Sequence, residues 1–202
     1  MFSSSLKDIY EMVLDAKSSI WSQARSMGRI PKIYLHWSAG HYHSKFEDYH
    51  VNIDDEGRYF VTTTDFSIPL AGTWKRNTGA INLSLCCAYN ATSYDLGPEP
   101  PTQVQIECMS MLIATCCAAL NLEITKTNVL THGEAADNED GIICHENYGP
   151  KSTVERWDLE FLQTRESPRW NPWATDGSRG GDVLRGKANW YLPYVKKEII
   201  NV

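Results

Sequence analysis

Residues 35–57 read LHWSAGHYHSKFEDYHVNIDDEG, with four histidines between positions 36 and 50. With the three residues before it, the stretch opens as KIYLHW, an alternating run of β-formers that predicts a strand with His36 at its exit. DYHVNID predicts a second strand, Asp55-Glu56-Gly57 a hairpin turn, and RYFVTTT a third strand. No C-x-x-C spacing of a structural metal site lies nearby. The histidines are therefore metal ligands, catalytic bases, or ordinary core and surface residues, and the fold around them decides which.

Working outward, Leu6 to Met27 carries apolar residues at helical spacing, with Ser5 as N-cap and Gly28 as its end. NTGAINLSLCCAYN predicts a buried strand, and GPEPPT delivers Thr102 as N-cap to a helix from Gln103 to about Leu120. The face formed by Val104, Cys108, Met111, Leu112 and Thr115 is expected to lie on the sheet. TNVLTH predicts a short strand ending in His132, and the polar stretch 133–149 a surface loop. STVERWDLEFLQ predicts a helix opened by Ser152 or Thr153 and closed near Arg165. The segment that follows, rich in Trp, Gly and Arg, predicts an extension wrapped over the domain. The pattern is that of an α/β fold: one domain with a central mixed β-sheet flanked by helices, residues 1–165, followed by an extension, 166–202, packed on it.

The bulk numbers agree with one folded core. The chain has 202 residues, 42% hydrophobic and 22% charged, with a net charge of -6 that argues against nonspecific nucleic-acid binding. No apolar run is expected to reach the roughly 18 residues of a membrane span. MFSSSLKDIYEM lacks the pattern of a signal peptide, so synthesis in the cytoplasm is expected, with any action elsewhere following release. The six cysteines include two adjacent pairs, Cys86-Cys87 and Cys116-Cys117, in apolar surroundings, and are expected to be reduced thiols acting as small hydrophobes.

His36 and His132 both end strands. A catalytic zinc takes three protein ligands and keeps one position open. Spacing alone leaves two readings standing, a metal centre or two structural histidines.

LHWSAG, DYHVNIDDEG, NTGAINLSL, THGEA and ERWDLEFL occur in an order that resembles the zinc-dependent type-2 N-acetylmuramoyl-L-alanine amidases, which share their fold with the peptidoglycan recognition proteins. The likeness runs from about Lys32 to Leu162 and is strongest to phage or prophage endolysins. It implies a Zn2+ cofactor and peptidoglycan as the partner. The implied ligands are His36 in His-Trp-Ser-Ala, His132 in His-Gly-Glu, and Asp158 with Arg156 two positions before it. Cys144 and His145 are the rival third ligands. Tyr49 and Arg156 are implied to stabilise a developing oxyanion, and Glu134 to carry a proton. His41 and His43 are expected to face solvent or substrate, and His50 to be structural.

Two departures stand out. Arg156 occupies a place where the family commonly has Lys, and Gly72 one where related sequences often carry His. Two other readings fit the same fold: a non-catalytic peptidoglycan-binding module and a zinc peptidase of the stem peptide. In the tail, Trp170, Trp173, Trp190 and Tyr191, with Arg179 and Arg185 between them, are expected to pack against the N-terminal helix; stacking of the aromatics on sugars, with the arginines meeting stem-peptide carboxylates, is the alternative.

Overall fold

The computed structural model describes residues 1–201. Along the chain come β1 (Phe2–Ser4), α1 (Leu6–Ser26), β2 (Lys32–Trp37), β3 (Val51–Ile53), β4 (Tyr59–Val61), β5 (Ala80–Leu85), α2 (Gln103–Leu120), β6 (Val129–Thr131), α3 (His132–Ala136) and α4 (Gly180–Tyr194). A single π turn, Val195–Ile199, extends α4. The six strands form one mixed sheet in the order β1-β4-β3-β5-β2-β6, antiparallel from β1 to β3 and parallel from β3 to β6. Helices flank it in one domain.

The caps form as the sequence dictates. Ser5 Oγ accepts from Asp8 N–H at 3.2 Å while Asp8 accepts from Ser5 N–H at 3.0 Å, and Thr102 and Gln105 repeat the exchange at the start of α2. The hairpin turn requires Gly57: its φ is +81°, and a Cβ there would lie 2.7 Å from Cys108 Sγ.

Alternation in the central strands separates two buried faces. Ile33, Leu35 and Trp37 of β2, with Ile81, Leu83 and Leu85 of β5, join the core built by α1 and α2. The other face carries Tyr34 and Leu130 in a small apolar cluster, and beside them the buried polar residues His36, Asn82 and Ser84. Every residue of β2 and β5 is buried, as expected of parallel strands covered on both sides. Loops cover the polar face, and the site lies there.

Four expectations are corrected. First, α2 packs on the sheet as expected and also between α1 and α4. Ile106, Met109, Leu112, Ile113, Thr115, Cys116 and Cys117 are among its buried residues, but Val104 of the expected face is 48% exposed. It is long and apolar enough to cross a membrane, contrary to the expectation that no stretch would be, yet most of it is buried in the core.

Second, 152–165 forms a chain of turns rather than a helix. Val154, Leu159 and Gln163 adopt φ of +61°, +59° and +55°, which an α-helix does not admit. Burial of Trp157, Leu159, Phe161 and Leu162 compensates: Trp157 sits edge-on to Trp37 with ring centroids 4.8 Å apart.

Third, the start of 133–149 is not surface loop. His132–Ala136 is helical and buried, and Asp137 caps the following turn by accepting from Gly149 N–H at 3.0 Å.

Fourth, the C-terminal segment contains the 15-residue helix α4. Its Leu184 and Ala188 join the main core. Gly180, Gly181, Gly186 and Pro193 hide its periodicity in the sequence.

Candidate metal centre

His36 stands one residue before the carboxyl end of β2, and His132 follows directly on β6, the parallel neighbour of β2. Both imidazoles therefore emerge at the edge where open α/β sheets place ligands. Asn82 on β5 fixes the first of them. Its amide nitrogen donates to Asn77 Oδ1 at 3.1 Å and to Leu70 O at 3.3 Å, so its Oδ1 is the acceptor for His36 Nε2–H at 3.0 Å. The proton of His36 is thereby on Nε2, and Nδ1 carries a free lone pair. Gly72 lies against this amide: a Cβ there would approach Asn82 Cγ to 2.6 Å. A side chain at position 72 would displace the group that orients His36.

Asp158 completes the convergence. One of its carboxylate oxygens, Oδ2, lies 3.6 Å from His36 Nδ1 and 3.6 Å from His132 Nδ1. Those separations are too long for hydrogen bonds. Donor atoms of His36, His132 and Asp158 all lie within 4.8 Å of one another, and His36 Nδ1 is buried with no hydrogen-bond partner. Three lone-pair donors aimed at one point without bonding each other fit a cation. Two imidazoles and one carboxylate form a donor set that could hold a metal ion. Burial lowers the pKa of His36, favouring its neutral, ligating form. Burial also pushes the Asp158 carboxyl up, but His132 and His36 beside it more than offset this and hold it well below the usual carboxylate range.

The centre opens into a cleft of about 560 Å³ whose lining includes Ser38, Tyr49, Asn90, His132, Arg156 and Asp158. A second lobe of about 730 Å³ shares His132 and Arg156 and adds Trp74, Lys75 and Tyr148. The Tyr49 ring stands 4.9 Å from that of His36, and burial raises its pKa, keeping the hydroxyl a donor. Arg156 is exposed in the cleft, and its hydrogen bond among the described residues is to Glu155 O at 3.1 Å. Tyr49 and Arg156 thus line the cleft beside the donor cluster.

Glu134 does not. Arg185 grips its carboxylate at 2.7 and 2.8 Å, and one oxygen also accepts from Thr131 N–H at 2.9 Å. Burial raises its pKa, yet the guanidinium outweighs burial and brings it down to about 2. Arg185 occupies both oxygens and the group is absent from the lining of the cleft, so Glu134 has a structural role in place of the expected proton shuttle. The tail arginines follow the packing reading and not the substrate-binding one, since Arg179 pairs with Glu160 at 2.8 and 2.7 Å and both arginines are buried. Trp170 packs on Trp157, while Trp173 and Trp190 are exposed.

The remaining histidines sort by environment. His41 is bound by Glu99 at 2.7 Å and stacked on Tyr89. His43 is exposed beside Asp55, and the adjoining Asp54 is occupied by Arg58. His145 contacts Glu146 O and Arg76 and stays outside the donor cluster, as does Cys144. His50 is structural: Nδ1 accepts from Asn82 N–H and Nε2 donates to Ile68 O, both at 3.0 Å.

Burial depresses the pKa of His50 from 6.5 to about 4. Its neutral form belongs to the fold, so its contribution is fully present above pH 6.5 and is lost as pH falls through about 4. The amount is on the order of 3 kcal/mol. Urea unfolding of His50→Gln at pH 7, 5.5 and 4 is expected to show a flatter decline than the wild type; parallel declines would contradict it.

Sequence reasoning missed Asn82 and Thr73, whose hydroxyl donates to Asn82 Oδ1 at 2.9 Å. A signal was present: Asn82 and Ser84 are polar positions inside the otherwise apolar strand AINLSL. The chain matches no family model, no curated protein and no solved structure.

Proposed function

We propose that the chain is a zinc hydrolase of the amide-cleaving class. The observation that carries this is the buried convergence of His36, His132 and Asp158 at the floor of an open cleft, with His36 Nδ1 unpartnered. Within that class, the motif order read in the sequence supports an N-acetylmuramoyl-L-alanine amidase of peptidoglycan.

His36, His132 and Asp158 would hold the zinc. When bound, it supplies a Lewis acid that polarises a carbonyl and makes water a nucleophile at neutral pH. The scissile amide joins the lactyl group of N-acetylmuramic acid to L-alanine. As its carbonyl is attacked, negative charge gathers on oxygen, and the Arg156 guanidinium and Tyr49 hydroxyl donate to it. Arg156 acts there by its charge and its hydrogen bonds. Two lobes meeting at His132 and Arg156 suit a substrate that extends to both sides of the bond cut.

Mass spectrometry of the soluble products from purified peptidoglycan tests this. Stem peptides with a free L-alanine amino terminus are expected, lost with a chelator and restored by zinc. Cuts inside the peptide would replace the amidase by a zinc peptidase. A protein that pellets with the wall and releases nothing would be a binding module.

A further inference from the structure

Two of the three converging ligands belong to segments without long regular structure: His132 opens the five-residue α3, and Asp158 sits in a chain of turns. Something else must hold them. The residues that do so lie together in RGGDVLR, 179–185, at the start of α4.

Arg185 forks onto Glu134, two residues after His132, and also donates to Val129 O of β6 at 3.0 Å. Arg179 forks onto Glu160, two residues after Asp158, and donates to Glu139 at 2.8 Å. Gly180 N–H donates to Glu160 O at 3.0 Å. The two glycines are what allows the approach. A Cβ on Gly180 would sit 2.1 Å from Leu159 O, and one on Gly181 would sit 2.8 Å from Glu134 Oε2. All four charged partners are buried, with Glu134 and Glu160 each 1% exposed.

We propose that Arg179 and Arg185, at the amino end of α4, form a two-armed clamp that positions Asp158 and His132 for metal binding. The inference rests on the metal-centre reading above. Neither arginine touches the metal; each is a positioning residue acting through a carboxylate two positions beyond a ligand. A planar guanidinium gripped at two points fixes orientation as well as distance. Outer-shell partners of this kind set how well ligands meet an ion.

The test separates positioning from plain stabilisation. Zinc affinity is measured on the full chain by competition with a chromophoric chelator, beside thermal unfolding of the metal-free protein. The variants are Arg185→Lys, the paired Glu134→Leu with Arg185→Leu, and Leu112→Ala in the core. The paired variant removes both charges of the Arg185–Glu134 pair together, and Asp182, which Arg185 also holds at 2.5 Å, is partly exposed and is left to water. This variant is expected to bind zinc about 10-fold or more weakly while melting near the wild type. Leu112→Ala is expected to do the reverse, melting lower with zinc affinity unchanged. Arg185→Lys keeps the charge without the fork and is expected to lose affinity as well, which serves if the paired variant does not fold. Wild-type zinc affinity in a folded Arg185→Lys or paired variant would overturn the clamp alone. A wild-type protein that takes up no zinc would overturn the metal centre, and the clamp with it.

Discussion

Asp158→Ala is expected to lose zinc and wall hydrolysis together. The carboxylate is the single negatively charged member of the donor set, and its Oδ2 faces both imidazoles at 3.6 Å. Without it, two neutral rings would have to hold a divalent ion, and a site of that kind has lost both a ligand and its charge match. The fall in zinc affinity should exceed the roughly 10–100-fold typical of changing an outer-shell partner. Product release from peptidoglycan should vanish with it. Retained hydrolysis would remove Asp158 from the ligand set, and Cys144→Ala in the same background would then test the thiol as its replacement.

The second large effect concerns stability. Arg76→Met should lower the melting temperature by roughly 6–20 °C. Arg76 is fully buried; it holds Asp140 at 2.8 and 3.2 Å and also donates to Asn138 Oδ1 at 2.7 Å and Ile142 O at 2.8 Å. Truncation leaves the equally buried Asp140 with Lys32 at 3.4 Å as its remaining ion-pair partner. Breaking a buried pair on one side costs about 3–5 kcal/mol. In a chain of this size each kcal/mol moves the transition by about 2–4 °C. A shift of only a degree or two, measured by calorimetry in chelator, would show that Lys32 alone suffices for Asp140.

Elements whose signals are local could be read from the sequence. Ser5 and Thr102 cap the two helices they were expected to cap, and Gln103 and Leu120 bound α2 as read. The three candidate ligands came from motif order, and the fold brings them together. What escaped depends on distant partners. The run STVERWDLEFLQ has helical composition, but Trp157 is more favourably placed against Trp37 and Trp170 than in a helix, and the backbone turns at Val154 and Leu159 to allow it. Glycines at 180 and 181 suggested irregular chain, whereas they are small because Leu159 O and the Glu134 carboxylate lie where side chains would be. Glu134 looked available for chemistry because Arg185, 51 residues away, was invisible as its partner.

The order of the parallel strands has a consequence for synthesis. Central β2 is complete early, but its neighbours β5 and β6 leave the ribosome later, and RGGDVLR later still. A nascent chain that has reached Thr131 already owns the whole sheet and has only His36 of the three ligands. The donor cluster is thus incomplete until translation has passed Asp158, and the clamp proposed above until it has passed Arg185.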